Sequence, residues 1–531
     1  MVVNLLLAAL IMIVCVLGNK ISNKIGMPVL FIFILLGMFF GSDGIAKINF
    51  SNYYFAEQIC SVALLFIMFY GGFGTKWDEA RPVATKAILL SSMGTILTAG
   101  FVGLFCYLVV KIPILESFLI GAVVSSTDAA SVFSILRSKR LNLRDHTASL
   151  LEIESGSNDP FAYMLTIIML SFMDGNTSAQ EFLHLIFTQI VFGGIFGLVI
   201  AFLTLQYFKK FPLSSSGFYS IFILAVAIIS YAAPTFFNGN GYLSAYITGI
   251  ILGNSRIQGK SELVHFFDGL TGLMQIVLFF LLGLLSFPSQ LPQVALMALV
   301  IALFLTFVAR PIAVYTILTP FHSSKGQKLL VSWAGMRGAA SIVFAIMAVI
   351  NAKTMQNDIF HIVYFIVLFS ILIQGTLIPF VSRKLNMTDN NIDVMRTFND
   401  YMDELPVEFL QLAIPSDHQW IHQKVKDILL PPDSFLLLII REQDNVMPNG
   451  DTEILPGDIF ILSGKSPKQI EGLSLYEMRV KKNTRWCGKS IVDAITGNER
   501  IAVIRRGENI VIPKGDTVLL ENDIVVFSEM V

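Results

Sequence analysis

Apolar stretches long enough to cross a bilayer recur from residue 2 to about residue 382, and this recurrence commits most of the chain to a polytopic membrane fold. Inside lipid the backbone must satisfy its own hydrogen bonds, so spanning stretches of this kind are helices. They are placed near 2–18, 24–41, 57–74, 85–110, 115–135, 147–173, 182–207, 218–235, 241–254, 268–287, 292–318, 328–350 and 358–382, thirteen in all, the ninth being short. Only 14% of the 531 residues are charged, against about 25% in soluble proteins. The charges are sparse up to about residue 382 and dense beyond it. That split predicts an all-α membrane domain over 1–384, a linker over 385–404 with a helix near Asn386–Glu404, and a small α+β soluble part beyond.

Basic residues in the connecting loops test the count. After odd-numbered segments stand Lys20 and Lys24; Lys76, Arg81 and Lys86; Arg137, Lys139, Arg140 and Arg144; Lys209 and Lys210; Arg256 and Lys260; Lys325 and Lys328. After even-numbered ones stand only Lys47, Lys111 and Lys353. This positive-inside bias puts the N-terminus outside a cell membrane and the C-terminal part in the cytoplasm. The first segment lacks a basic n-region and a small-residue cleavage site, so it is read as a retained helix. Formal net charge is −1, so bulk charge points to no nucleic-acid partner. The four cysteines, Cys15, Cys60, Cys106 and Cys487, form neither a disulfide framework nor a metal spacing.

Against this apolar background the sixth segment carries Glu152-Ile153-Glu154-Ser155-Gly156-Ser157-Asn158-Asp159-Pro160. A carboxylate at bilayer depth costs roughly 3 kcal/mol even on lenient insertion scales, so it has a partner or a use. The fifth segment supplies Ser125-Ser126-Thr127-Asp128 and the twelfth Gly335-Met336-Arg337-Gly338. The three pieces are read as one ion-binding site. Desolvation disfavours a charged carboxylate and a bound cation favours it, so a buried Asp can trade a proton for a cation and couple the two fluxes. Asp159 and Asp128 are the candidates, with Ser155 four residues before Asp159 on the same helix face. Hard oxygen ligands suit alkali cations, and the Cys or His of a soft transition-metal site are absent. Gly156 and Pro160 are expected to loosen the helix beside a cavity. Glu154 needs a cation of its own and is paired with Arg337. Arg310 is read as structural, pairing with a carboxylate or capping carbonyls. Glu152 is placed on another face, at the edge of the site, and Asn158 either belongs to the site or packs helices.

Two internal repeats stand out. Asp128-Ala129-Ala130-Ser131 in the fifth segment echoes Gly338-Ala339-Ala340-Ser341 in the twelfth. Segments seven apart run in opposite directions, and inverted repeats with broken helices place transporter sites at the midplane. Beyond the membrane domain, Pro448 to Ile459 matches Pro513 to Ile524 at an offset of 65. Each copy follows a β-branched run, Leu436–Ile440 or Ile501–Ile504, and leads into another, Ile459–Leu462 or Ile524–Phe527. Upstream, Trp420–Asp427 and Trp486–Asp493 read as short helices. Two copies of one α+β module are predicted, over 405–468 and 469–531.

At these motifs the sequence resembles the monovalent cation:proton antiporters of the NhaP-like type, in the potassium/proton subgroup. The family's Thr-Asp on one broken helix and Glu-x-Glu-Ser-x-x-Asn-Asp on the next stand here as Thr127-Asp128 and Glu152 to Asp159, beside Gly-x-Arg-Gly at Arg337 and Ala-Arg-Pro at Arg310. The resemblance implies about thirteen spans with inverted repeats, a homodimer, and cation binding by Asp159, Asp128, Glu154 and Ser155, with Thr127 helping. It implies that Asn158 stabilises the broken-helix core, that Arg337 pairs with Glu154, and that the Asn-Asp pair goes with electroneutral exchange. Ala129 stands where the family often has Pro, and Gly156-Ser157 where it often has Leu-Leu. The tail modules resemble the C-terminal half of the regulator-of-potassium-conductance domain, twice. That implies a small regulatory ligand, cyclic di-AMP or another nucleotide, and dimerisation. No Gly-x-Gly-x-x-Gly fold accompanies them, and no cofactor is expected.

The leading reading is a secondary K+ or Na+/proton antiporter rather than an enzyme. A ligand-gated cation channel is the alternative, but no Thr-Val-Gly-Tyr-Gly filter is present. An organic-anion carrier would need cations to outnumber acids, and no Walker-type motif supports a pump.

Overall fold

The computed structural model describes residues 2–25, 28–138, 141–175, 178–211, 216–255, 257, 260–352, 355–388, 407–415, 418–430, 434–441, 444–465, 473–480, 486–494, 500–506, 509–511 and 513–530. The linker helix expected near Asn386–Glu404 lies outside the described residues from 389 onward. The chain divides into two compact units, Met1–Asp403 and Glu404–Val531.

The first unit is helical: α1 (Val2–Ile25), α2 (Val29–Phe40), α3 (Tyr53–Gly74), α4 (Ala84–Val110), α5 (Ile114–Val123), α6 (Ala129–Ser138), α7 (Thr147–Met173), α8 (Ala179–Lys210), α9 (Ser216–Phe236), α10 (Gly241–Gly253), α11 (Lys260–Leu285), α12 (Leu291–Leu318), α13 (Lys325–Trp333), α14 (Ala339–Asn351) and α15 (Ile359–Lys384). Among the described residues seven of these are long and apolar enough to cross a membrane unaided. α7 has the length, 27 residues, but is less apolar because it carries Glu152, Glu154, Asn158 and Asp159. The fifth and twelfth predicted segments are each two helices, α5/α6 and α13/α14, joined by extended chain at 126–128 and 335–338.

Helices approach closely where small residues let them. α3 packs on α10 and α2 on α11. A Cβ on Gly249 of α10 would stand 2.2 Å from the Phe69 carbonyl oxygen of α3, so backbone meets backbone there. Such contacts drive helix association in lipid, where apolar side chains gain nothing by leaving the bilayer.

The second unit holds β1 (Val407–Ala413), β2 (Ser434–Arg441), β3 (Asp444–Val446), β4 (Ile459–Lys465), β5 (Leu473–Arg479), β6 (Arg500–Arg506), β7 (Asn509–Val511) and β8 (Ile524–Met530). They form two antiparallel sheets of the same order, β1-β4-β2-β3 and β5-β8-β6-β7. The repeat reaches fine detail. A bulge falls at Leu436/Leu438 in one copy and at Ile501/Val503 in the other. Gly457 and Asn522, 65 apart, both take positive φ, +85° and +71°. The buried Asp458 accepts two hydrogen bonds from Arg441, both at 2.8 Å, and one from the Leu455 N–H. Asp523 does the same with Arg506 and Leu520. Burial would raise these carboxyls, but the arginine and amide hydrogen bonds outweigh it and hold both below the usual Asp range.

The helices expected at Trp420–Asp427 and Trp486–Asp493 are corrected. Only a 3-10 turn at Val425–Asp427 and one helical turn at Ile491–Ala494 form. Beyond single local turns, these stretches bond to the turn of their own repeat rather than continuing as helices. The Val425 and Ile491 N–H groups donate to the Thr452 and Thr517 carbonyls.

Candidate functional site

The two broken helices cross at their extended segments. The Asp128 N–H donates to the Met336 carbonyl at 2.8 Å. The repeated positions Asp128 and Gly338 meet there: a Cβ on Gly338 would lie 2.4 Å from Cβ of Asp128. Glycine is therefore required by the closeness of the crossing. α6 and α14 both begin at the crossing, so both aim positive helix ends at it. Asp128 caps α6, accepting from the Ser131 N–H at 3.3 Å and from the Ser131 hydroxyl.

α7 passes beside the crossing and is tied to it by four hydrogen bonds. The Ser126 hydroxyl donates to Asp159 Oδ1. The Ser155 hydroxyl donates to the Thr127 carbonyl at 2.6 Å. Asn158 accepts from the Thr127 N–H at 3.3 Å and donates to the Thr127 hydroxyl. Asn158 is fully buried and Asp159 is 5% exposed. The family's second motif therefore sits on a continuous helix, not a broken one. Gly156 and Pro160 leave α7 unbroken. Gly156 serves closeness instead: a Cβ there would stand 2.6 Å from the Tyr246 ring of α10. The Pro160 carbonyl accepts from Asn240 at 2.8 Å.

Arg310 pairs with a carboxylate, one of the two roles expected of it, and the carboxylate is the one assigned to Arg337. Glu154 pairs with Arg310, with Arg310 Nη2 at 2.8 and 2.7 Å from its two oxygens, and both residues are buried. Arg337 does not pair with Glu154; its Nη1 donates to the Ser125 and Ser126 carbonyls at 2.8 and 2.7 Å. These are carbonyls that the end of α5 leaves without helical partners, and the guanidinium satisfies them. A π-helical turn, Leu305–Ala309, directly precedes Arg310. Another, Ser370–Gly375, brings Ser370 to the Arg337 N–H at 2.9 Å. Nothing in residue spacing signals such turns, and the pairing could not be read without them.

A cavity of about 510 Å³ is lined in part by this crossing. Asp159, Asp128, Ser155, Thr127 and Ser126 line it. Glu154, Asn158, Arg310 and Arg337 do not, so Glu154 is placed in the supporting ion pair and away from the cavity. Glu152, expected at the edge of the site, does line it, but on the face of Asp159 rather than another, because seven residues is nearly two full turns. Asp268, Thr271 and Gln275 of α11 also line the cavity and were not among the expected site residues. Their spacing of three and four inside an apolar segment was the available signal.

Comparison with known proteins decides the class. Residues 7–384 match the family described as sodium/hydrogen exchanger, transmembrane. The chain belongs to the sodium/hydrogen exchanger family. Its tail matches the TrkA-C domain twice, over 409–470 and 475–528. A protein named K(+)/H(+) antiporter NhaP from Alkalimonas amylolytica is 34% identical over 443 residues, covering 83% of this chain and 77% of that one. One named K(+)/H(+) antiporter NhaP2 from Shewanella sp. (strain MR-4) is 33% identical, covering 88% and 82%. The fold is that of the sodium proton antiporter MjNhaP1 from Methanocaldococcus jannaschii, with a TM-score of 0.62 at 21% identity over 72% of this chain and 99% of that one.

Proposed function

We propose that this sodium/hydrogen exchanger family member moves K+, in preference to Na+, against protons, with the two ions competing for Asp159 and Asp128. The reading rests on one arrangement: two carboxylates, Asp159 and Asp128, line one cavity inside an apolar helical unit. The Ser155 hydroxyl donates its hydrogen bond to the Thr127 carbonyl, so its oxygen can face a cation as an acceptor. With Asp159, Asp128 and the Thr127 oxygens it forms a hard-oxygen set suited to an alkali ion. Bringing a proton to Asp159 removes the charge that holds the cation, so one site serves both ions in turn. Asn158, Arg310 and Arg337 support the site. K+ is put ahead of Na+ because the relatives named above are K(+)/H(+) antiporters at 33–34% identity.

The bias of basic loops supports an outside N-terminus and a cytoplasmic tail. The paired tail modules suit a homodimer under control of a small ligand, cyclic di-AMP or another nucleotide. No catalytic constellation is assigned, and the protein is read as a carrier rather than an enzyme. In everted vesicles carrying an acid interior, K+ is expected to dissipate the proton gradient reported by a pH dye. A response to Na+ alone overturns the K+ assignment, and no response to K+, Na+ or Li+ overturns antiport.

A further inference from the structure

α11 adds polar residues to the lining of the same cavity, apart from the groups at the crossing and on α7. Asp268, Thr271 and Gln275 line the cavity, and their spacing puts them on one face of the helix. Thr271 is 8% exposed, and its hydroxyl oxygen is buried without a hydrogen-bond partner among the described residues. Leaving a buried hydroxyl unmet is destabilising. A valine would fill the same space without that cost. From α7, Glu152 lines the same cavity nearly two turns before Asp159.

We propose that this face of α11 is a second cation station, where Thr271 and Gln275 hold a partly hydrated monovalent cation before it reaches Asp159. The inference rests on the antiport reading and adds a step to it. A cation entering the cavity must exchange water for protein oxygens. The Thr271 hydroxyl and the Gln275 carboxamide oxygen are neutral acceptors that replace one or two waters without holding the ion as firmly as a carboxylate. Asp268 and Glu152 supply the negative potential that keeps the ion in the cavity. Neutral oxygens favour the ion that sheds water most easily, so the station favours K+ over Na+ before Asp159 and Asp128 are reached.

The test is the concentration dependence of K+- and Na+-driven exchange in everted vesicles, with membrane levels of each variant measured by immunoblot. Thr271→Val and Gln275→Leu are expected to raise the KM for K+ by about threefold or more, beyond any fall in maximal rate. Both should narrow the K+/Na+ preference, and Thr271→Ser should restore both values. If one of the two variants fails to reach the membrane, the other carries the test, with Thr271→Ser as the control for Thr271→Val. Unchanged KM and unchanged K+/Na+ ratio in the variants, with the wild type active, overturn the station and leave the antiport reading standing. A wild type that responds to no cation removes both.

Discussion

Asp159 concentrates the account at the scale of single residues. It is 5% exposed, faces the cavity and is held by the Ser126 hydroxyl. Asp159→Asn keeps the shape and removes the proton exchange. It is expected to reach the membrane at normal levels and to lose cation-dependent exchange in the vesicle assay. Full exchange by that variant removes Asp159 from its role. The arginines make a separate prediction because their partners differ. Arg310→Ala strands a buried Glu154 carboxylate and should destabilise the folded unit by about 3–5 kcal/mol. Arg310→Ala with Glu154→Ala removes both charges and should recover much of the loss, read as thermal stability in detergent. Arg337→Ala leaves Glu154 paired and frees the Ser125 and Ser126 carbonyls, so Glu154→Ala should give it no rescue. The arginine partners were the weak point of the sequence reading. Charge counting shows that Glu154 needs a cation, but the choice between Arg310 and Arg337 depends on the turns that carry them.

At the scale of elements, the arrangement depends on two interrupted helices meeting a continuous one. The repeat of Asp128-Ala-Ala-Ser and Gly338-Ala-Ala-Ser marked both interruptions in the sequence, since each break directly precedes the repeated alanines. α7 was misjudged because Gly and Pro break isolated helices. Here one missing N–H is a small loss in a 27-residue helix packed by α4, α5 and α10. Gly338 is legible only in the fold, where its α-hydrogen faces Asp128. Gly338→Ala places a methyl 2.4 Å from Asp128 Cβ. It is expected to push the crossing apart and reduce exchange far more than it reduces membrane insertion, measured as vesicle activity per unit of protein. Normal activity in Gly338→Ala would mean that the crossing yields easily. The polar face of α11 was missed for another reason. Asp268, Thr271 and Gln275 are spread over two turns and form no contiguous motif.

At the scale of the whole molecule, the chain joins a helical transport unit to two copies of a β module, and both layers were visible as a change in charge density near residue 382. The module sheets followed from β-branched runs, while β1 and β5 were not anticipated because they lie before the repeated motif. Each module is closed by one buried Asp under one Arg. Asp458→Asn and Asp523→Asn should each cost the soluble unit about 2 kcal/mol, read by chemical denaturation of the full chain in detergent. Both carboxyls are held below their unfolded values, so their stabilisation is present above roughly pH 4 and is lost as pH falls through the folded value. The substituted proteins should therefore show a flatter acid limb in a stability-against-pH curve of the tail.

The central claim is that cation and proton compete for one buried site, and the dependence of the K+ KM on pH tests it most directly. In everted vesicles the account predicts a KM that rises by about tenfold for each unit of acidification below the site's own pKa, with the maximal rate at saturating K+ little changed. A KM that stays constant across that range, with pH altering only the maximal rate, would contradict competition and place proton and cation at separate sites.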